Sequence, residues 1–578
     1  MKFELLPNEI LLDLFNYLDG INLLRAFYNL NSRFNLVLYK QFRAYRFIFS
    51  SCSKYQFDMI CQEHLPFIAD RVIYLTLYDY QTTPGQINLF FSYIASICQF
   101  THLRSLTLFH LRSYRILMKI VNHLHHLHDL THLDLYDISC YSDQGDFQTI
   151  INNIWSLPKL IYCHLNVHVN KERILYPPTK ISTSLRNVHI SGYTLKWNEI
   201  YRLFEYTSAV KYLSVSVKSN DDSGYKSFLY PTLIDLSIYT FHIYDISKLI
   251  SFLKNLPNLR RLSVNFSSNL INGYQWKEII RDYLSNLKVF QLKMKDEISL
   301  NENVEERANE LINSFRNSFW MDEHKWFVRC FIHDQTIHLE TLSKLYSYLE
   351  KKLPNWWKST YPHDDEKKYY STISSIYHDT FFHQSIPSYI RLHNINFLCI
   401  QLPIPDEFWS VVPSLDKLTS LTVSSYTDTF QSQLQTLLDR AQNVHNLQIR
   451  QKESLPLQIS LFQYTNSSVC QLNLQGFWYN EEDCLRLCHS SLGIQCKVLM
   501  IQVKNRQSIS ILVNNMNHLQ ALHVECKDDQ YSKQLLSGEN VDESNKDELI
   551  QWLIDHFPSC YFIVRDSNSL NCIQIWIQ

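Results

Sequence analysis

The chain has 578 residues and a formal net charge of −2; 46% of it is hydrophobic, 14% aromatic and 19% charged. That apolar share excludes a disordered class, and the near-neutral balance lacks the basic excess of a dedicated nucleic-acid binder, so no nucleic-acid partner is expected. The nine glycines are scattered singly, which excludes clustered-glycine phosphate loops and the G-x-S-x-G nucleophile elbow.

In chain order, the first stretch holds Glu4, Pro7 and Glu9 where a secretory signal needs an unbroken apolar run. No run reaches the roughly 18 apolar residues of a membrane span. The richest, Ile87 to Phe100, is interrupted by Asn88, Ser92 and Ser96. With 14 dispersed cysteines, the chain reads as cytoplasmic or nuclear, with reduced, mostly buried thiols and no membrane partner.

Pro7 suits the first turn of a helix, and Ile10, Leu11, Leu14, Phe15 and Leu18 follow on one apolar face. Asp19-Gly20 ends that helix. Asn22 can cap a second, carrying Leu23, Leu24, Phe27 and Leu30; Asn31 and Ser32 can cap a third, carrying Phe34, Val37 and Leu38. Forty residues cannot hide so many apolar groups, which points to an exposed patch awaiting a partner. By residue pattern alone, the three helices are equally an amino-terminal cap on the rest of the chain.

The run Leu6-Pro7-Asn8-Glu9-Ile10-Leu11 resembles the opening of an F-box. Leu23-Leu24-Arg25-Ala26-Phe27 and Leu30-Asn31-Ser32-Arg33-Phe34 resemble its second and third helices in order and spacing. Phe34 stands where many members have tryptophan, and Asn22 where aspartate is usual; both keep the chemistry. The resemblance covers residues 1–45. It implies docking to the small Skp adaptor, and through it to a cullin, by Leu6, Pro7, Ile10, Leu11, Leu14, Phe15, Leu18, Leu23, Phe27 and Phe34.

Residues 46–70 are expected as a helical linker. From there apolar residues at i, i+3 and i+5 recur: Leu103-Leu106-Leu108, Leu130-Leu133-Leu135, Leu160-Cys163-Leu165 and onward to Leu287-Phe290-Leu292. The pattern resumes from Ile395-Leu398-Ile400 to Leu519-Leu522-Val524. Such a period belongs to a solenoid, in which each unit stacks on its neighbour to bury a face. The i+4 residues (Thr107, Asp134, His164, His189, Ser214, Ser237, Ser263 and Gln291 in the first block) are polar, the alternation of a strand. Stripes such as Ile116, Leu117, Ile120, Val121 and Leu124 supply a helix between strands.

The unit resembles leucine-rich repeats of the ribonuclease-inhibitor type, so the expected fold is α/β: an F-box followed by an irregular helix–strand solenoid. The family's asparagine or cysteine at i+8 is missing; Leu111, Ile138, His168 and Tyr193 occupy it. Block one is expected over 71–300 and block two over 391–578. Between them, 301–390 reads as degenerate repeats with an insertion, Leu339 to Leu349 as helix and Trp356 to Lys368 as a loop.

The cluster His123, His125, His126, His128 and His132 has no carboxylate or cysteine set to complete a metal site, and Cys484, Cys488 and Cys496 form no paired Cys-x-x-Cys. No spacing names a nucleophile, so neither enzyme activity nor cofactor is expected. The reading is a substrate-recognition subunit of a cullin–RING ubiquitin ligase, with a target held by Asp134, Tyr136, His164, His189 and Tyr212. The alternative is a repeat scaffold outside any ligase.

Overall fold

In a computed structural model the chain divides into two compact units: Met1–Tyr80, Gln86–Lys344 and Asn355–Pro362 form one, and Gln81–Gly85, Leu345–Pro354 and His363–Gln578 the other. The structure describes residues 3–577 apart from 51, 140–146, 169–176, 219–228, 241–245, 269, 300–301, 334, 343–355, 365–369, 372, 378–381, 383–385, 387, 452–456, 530, 532–546 and 567–568.

Unit one opens with helices α1 (Asn8–Phe15), α2 (Gly20–Phe27) and α3 (Ser32–Leu36). Asp19, not Asn22, caps α2, its carboxylate accepting from the Ile21 and Asn22 amides; Asn31 caps α3 through the Phe34 amide. An aspartate satisfies two orphan amides at once and favours the positive helix end. Arg33 holds the start of α1, donating from Nε to Asn8 Oδ1 at 2.9 Å and from its other nitrogens to the Glu4 and Leu6 carbonyls.

Strands β1 (Tyr45–Ile48), β2 (Val72–Tyr78), β3 (Ser105–Phe109), β4 (His132–Ser139), β5 (Tyr162–His168), β6 (Asn187–Leu195), β7 (Tyr212–Val217), β8 (Asp235–Thr240), β9 (Arg261–Phe266) and β10 (Val289–Glu297) follow. They pair in sequence order, all parallel. Leu106, Leu133, Cys163, Val188, Leu213, Leu236, Leu262 and Phe290 share one register and are all buried. Equal registers on strands about 4.8 Å apart stack them into one apolar seam.

The region expected as a linker therefore contains the first strand. Phe42-Tyr45-Phe47 and Val72-Leu75-Leu77 carry the same i, i+3, i+5 spacing, the first with aromatic and the second with aliphatic residues, and all six are buried. The ladder thus begins just after the helical turn Val37–Gln41 that continues α3. A Cβ on Gly20 would come within 2.5 Å of the Phe47 ring, so α2 lies directly on β1 and glycine is needed there for the close approach.

Within residues 301–390, two of the described segments differ from expectation. After the helix Val304–Ser314 come β11 (Val328–His333), β12 (Thr336–Thr341) and β13 (Trp356–Ser359). β12 pairs antiparallel with β10, and β11 antiparallel with both β12 and β13. Leu339 is thus in a strand, because Thr336 to Thr341 alternate in burial and Leu339 faces Cys330 and Met294 across the sheet. Trp356 starts a strand rather than a loop. The segment ends the parallel ladder instead of continuing it.

Unit two repeats the plan with β14 (Ser375–Tyr377), β15 (Phe397–Gln401), β16 (Ser420–Tyr426), β17 (Asn446–Gln451), β18 (Gln471–Tyr479), β19 (Val498–Val503) and β20 (Ala521–Cys526) in parallel. It too closes antiparallel, with β22 (Cys572–Trp576) beside β20 and β21 (Phe562–Arg565) outside it.

A side-chain ladder does exist, displaced from i+8 to i−1. Asn258 donates to the Pro231 carbonyl and Asn286 to that of Pro257, each at 2.9 Å. Ser184 reaches Leu157, Thr232 reaches Ser208, Asn394 reaches Ser371 and Asn443 reaches Asp416. Each bond ties a helix-to-strand junction to the junction of the preceding repeat.

Candidate functional site

Two surfaces gather the residues singled out by the sequence. On the first, Leu11, Phe15, Leu23 and Phe34 are buried, which corrects the expectation that they contact an adaptor. They are the interior of the helical unit: Phe15 lies 4.9 Å from Phe27 and 5.8 Å from Phe42, and Phe27 5.5 Å from Phe34, between ring centroids. Pro7, Ile10 and Leu14 are exposed; Leu6, Leu18 and Phe27 are half-buried. The exposed apolar set also includes Leu5 at 79%, Tyr17 at 86% and Leu30 at 59% of full exposure. Those three fall outside the residues expected to dock. The signal that would find them is the excess of apolar groups beyond one helical face.

The second surface is the face of the unit-one sheet that carries the i+4 row. Thr107, Asp134, His164, His189, Ser214, Ser237, Ser263 and Gln291 run side by side across β3 to β10. They are half-buried or buried rather than fully exposed, because each is flanked by equivalent side chains about 4.8 Å away on both neighbours. Asp134 Oδ1 lies 3.0 Å from His164 Nδ1, within ion-pair range, but makes no hydrogen bond. The His164 ring meets His189 edge-on at 4.3 Å and Tyr136 at 5.6 Å. Burial, reinforced by the neighbouring His164, pushes His189 down to about 4, so it is a neutral ring at physiological pH.

Tyr212 does not join that cluster. It sits with Tyr162, Asn187, His189, Ser214 and Asp235 around a depression of about 200 Å³. Asp235 is held 3.2 Å from Arg261 Nε, and burial raises its carboxyl although Arg261 opposes the shift. Tyr162 stacks on His132 at 5.8 Å. Sequence reasoning did not assign Asp235, whose alignment with Tyr212 depends on the β7–β8 register.

His164 Nε2 also lies 3.1 Å from Ser191 Oγ, so aspartate, histidine and serine follow in the order of a hydrolytic triad. The chemistry needs an imidazole oriented by a bond to the acid, and Asp134 Oδ1 makes none. The depression lies toward Tyr162 and Tyr212 and does not include Ser191. The arrangement is a polar contact, not an activated nucleophile.

Among the described residues no three His, Cys, Asp or Glu side chains converge to hold a metal ion. Cys484 and Cys496 are buried free thiols, pushed up to about 12 mainly by burial. No helix among the described residues is long and apolar enough to cross a membrane.

No protein-family profile matches the chain, and no curated protein sequence is significantly similar to it. Among solved structures it is similar to an internalin from Listeria monocytogenes, with 10% identity and a TM-score of 0.23 over 81% of this chain and 93% of that one. It is also similar to a leucine-rich-repeat protein of Leptospira interrogans, with 12% identity and a TM-score of 0.20 over 83% and 99% respectively. The fold stands on its own strand pairing: two α/β units, each a parallel helix–strand ladder closed by antiparallel strands.

Proposed function

We propose that the chain is a substrate-recognition subunit of an SCF-type cullin–RING ubiquitin ligase. The amino-terminal helices dock the Skp adaptor, and a leucine-rich-repeat-like solenoid holds the target protein. The observation that carries this reading is the exposed apolar set Leu5, Pro7, Ile10, Leu14, Tyr17 and Leu30. It surrounds the sequence that resembles an F-box, and its interior is already filled by Leu11, Phe15, Leu23 and Phe34. An apolar surface left over from a satisfied core is what a partner covers. The subunit performs no bond chemistry and works in the cytoplasm or nucleus; it raises the effective concentration of a target lysine near the transferring enzyme.

The test is co-purification of the full chain with the Skp adaptor and a cullin. Ile10→Asp/Leu14→Asp places charges on exposed positions that fold without them. We expect adaptor recovery to fall at least tenfold while the circular dichroism spectrum stays unchanged, since central apolar anchors contribute ~2 kcal/mol or more. Undiminished recovery by this variant overturns the docking surface. Absence of adaptor and cullin from the wild-type complex leaves a repeat scaffold outside any ligase.

A further inference from the structure

The strand starts of unit one carry a second, charged register. Successive backbone bonds run from Arg104 N to Ile73 O, from Thr131 to Arg104, Ile161 to Thr131, Arg186 to Ile161, Lys211 to Arg186, Ile234 to Lys211, Arg260 to Ile234 and Lys288 to Arg260. These are the i+1 positions of consecutive repeats, locked side by side. Arg186, Arg260 and Lys288 are exposed and Lys211 is half-exposed. Among the described residues none of the four is in an ion pair with a carboxylate.

Strands about 4.8 Å apart put Arg186 beside Lys211 and Arg260 beside Lys288, with half-buried Ile234 between the two pairs. The pair centres are three strand steps apart, about 14 Å, and the whole row from Arg186 to Lys288 covers about 19 Å. A chain whose net charge is only −2 has no general reason to line up four cations at one register within five successive strands. Left unpaired at this spacing, they repel one another, a cost that an anionic partner removes.

We propose that this row is a docking surface for an extended acidic segment of a partner protein, with two pairs of Asp or Glu residues flanking two apolar ones, every second side chain facing the row. An extended peptide rises about 3.3 Å per residue, so a four-residue offset between acidic pairs matches the separation of the cation pairs. The apolar residue on the facing side then lies over Ile234. A nucleic acid fits less well. Asp235, next to Ile234 on the sheet surface, and Asp134 farther along it would repel a polyanion that continued across the strands. The proposal holds for a ligase subunit and for a scaffold alike, because it concerns neither the adaptor nor the transfer of ubiquitin.

The test uses the full chain and a fluorescein-labelled peptide Glu-Glu-Ala-Leu-Glu-Glu, read by fluorescence anisotropy at low ionic strength. Arg186→Glu/Lys288→Glu is expected to weaken binding at least tenfold. Lys497→Glu, at the equivalent i+1 position of unit two, leaves it unchanged. Raising the salt weakens the wild type and barely affects the double variant. Arg186→Gln/Lys288→Gln, which removes charge without reversing it, gives an intermediate loss. Equal binding by wild type and double variant overturns the proposal. So does tighter binding of a hexameric uridylate than of the peptide, which would assign the row to nucleic acid. Adaptor recovery is measured on the same double variant and stays at the wild-type level, so a failure here is separable from a failure of the ligase reading.

Discussion

The two sheets are alike on the face they bury and unlike on the face they show. In unit one the inward register runs through Leu106, Leu133, Leu213, Leu236 and Leu262; in unit two it runs through Leu398, Leu421, Leu447, Leu472 and Leu499, all buried. Outward, unit one presents Asp134, His164 and His189 with Tyr136, Tyr162 and Tyr212 close by, whereas unit two presents Cys399, Thr422, Gln448, Asn473 and Met500. At the strand starts, the row with Arg186, Lys211, Arg260 and Lys288 corresponds to a unit-two row of Asn396, Thr419, His445, Cys470, Lys497 and Gln520, with one cation, Lys497. Stacking dictates the inward residue type, because a polar group there would lie unsatisfied in a continuous apolar seam. Nothing in the stacking dictates the outward one. Charge and aromatic area on the outward face of unit one are therefore not required by the stacking.

The largest effect tests the likeness. Leu236→Ala and Leu447→Ala each open a cavity in a fully buried register, and each is expected to lower the local opening free energy of its own strands by ~2–5 kcal/mol. Hydrogen exchange of the flanking strands reads this, and a much smaller loss in one unit would break the equivalence of the two seams. A smaller effect tests the junction ladder: Asn258→Ala in unit one and Asn443→Ala in unit two each remove one donor to a neighbour's carbonyl, for about 1 kcal/mol by the same measurement.

The smallest effect is specific to unit one. His189, facing His164 and Asp134, is held at about 4 in the folded state, below the unfolded value of about 6.5. Above pH 6.5 both states are neutral at this site and it contributes no pH slope. As pH falls toward 4 the unfolded chain takes up a proton that the folded chain refuses, so stability is lost over that window. The urea midpoint of His189→Gln is expected to fall less between pH 7 and pH 4.5 than that of the wild type. Identical slopes would place the titration elsewhere.

The repeats were legible because burial imposes one spacing on every unit, and the outward row followed from strand alternation. What the spacing does not encode is direction: β12 and β22 satisfy the same apolar alternation while running antiparallel, since alternation is common to both pairings. β1 escaped because Phe42, Tyr45 and Phe47 replace the aliphatic triplet. The junction ladder escaped because asparagine, serine and threonine share its position, so no one residue type recurs. On the helical surface, the residues expected to dock mixed Leu11 and Phe15 with Ile10 and Leu14; one broad apolar face does not say which half of it meets α2 and α3. In the Asp134–His164–His189 cluster, membership of the row was readable but the contacts were not, because they depend on the pairing registers of adjacent strands.

The junction ladder has a consequence for how the molecule can change in length. From helix end to the first inward residue of the next repeat the chain is short in Trp155 to Leu160, Tyr283 to Leu287, Arg440 to Val444 and Asn515 to Leu519 and longer in others, such as His123 to Leu130 and Val411 to Leu418. From strand end to helix start it ranges from Leu195–Trp197 to Ser139–Phe147. The junction bonded to its neighbour through the i−1 side chain acts as a fixed reading frame, and the other connection is free text. Residues inserted after a strand leave every downstream register in phase. A single residue inserted between helix and strand shifts one repeat against both neighbours, turning its inward side chains to the opposite face.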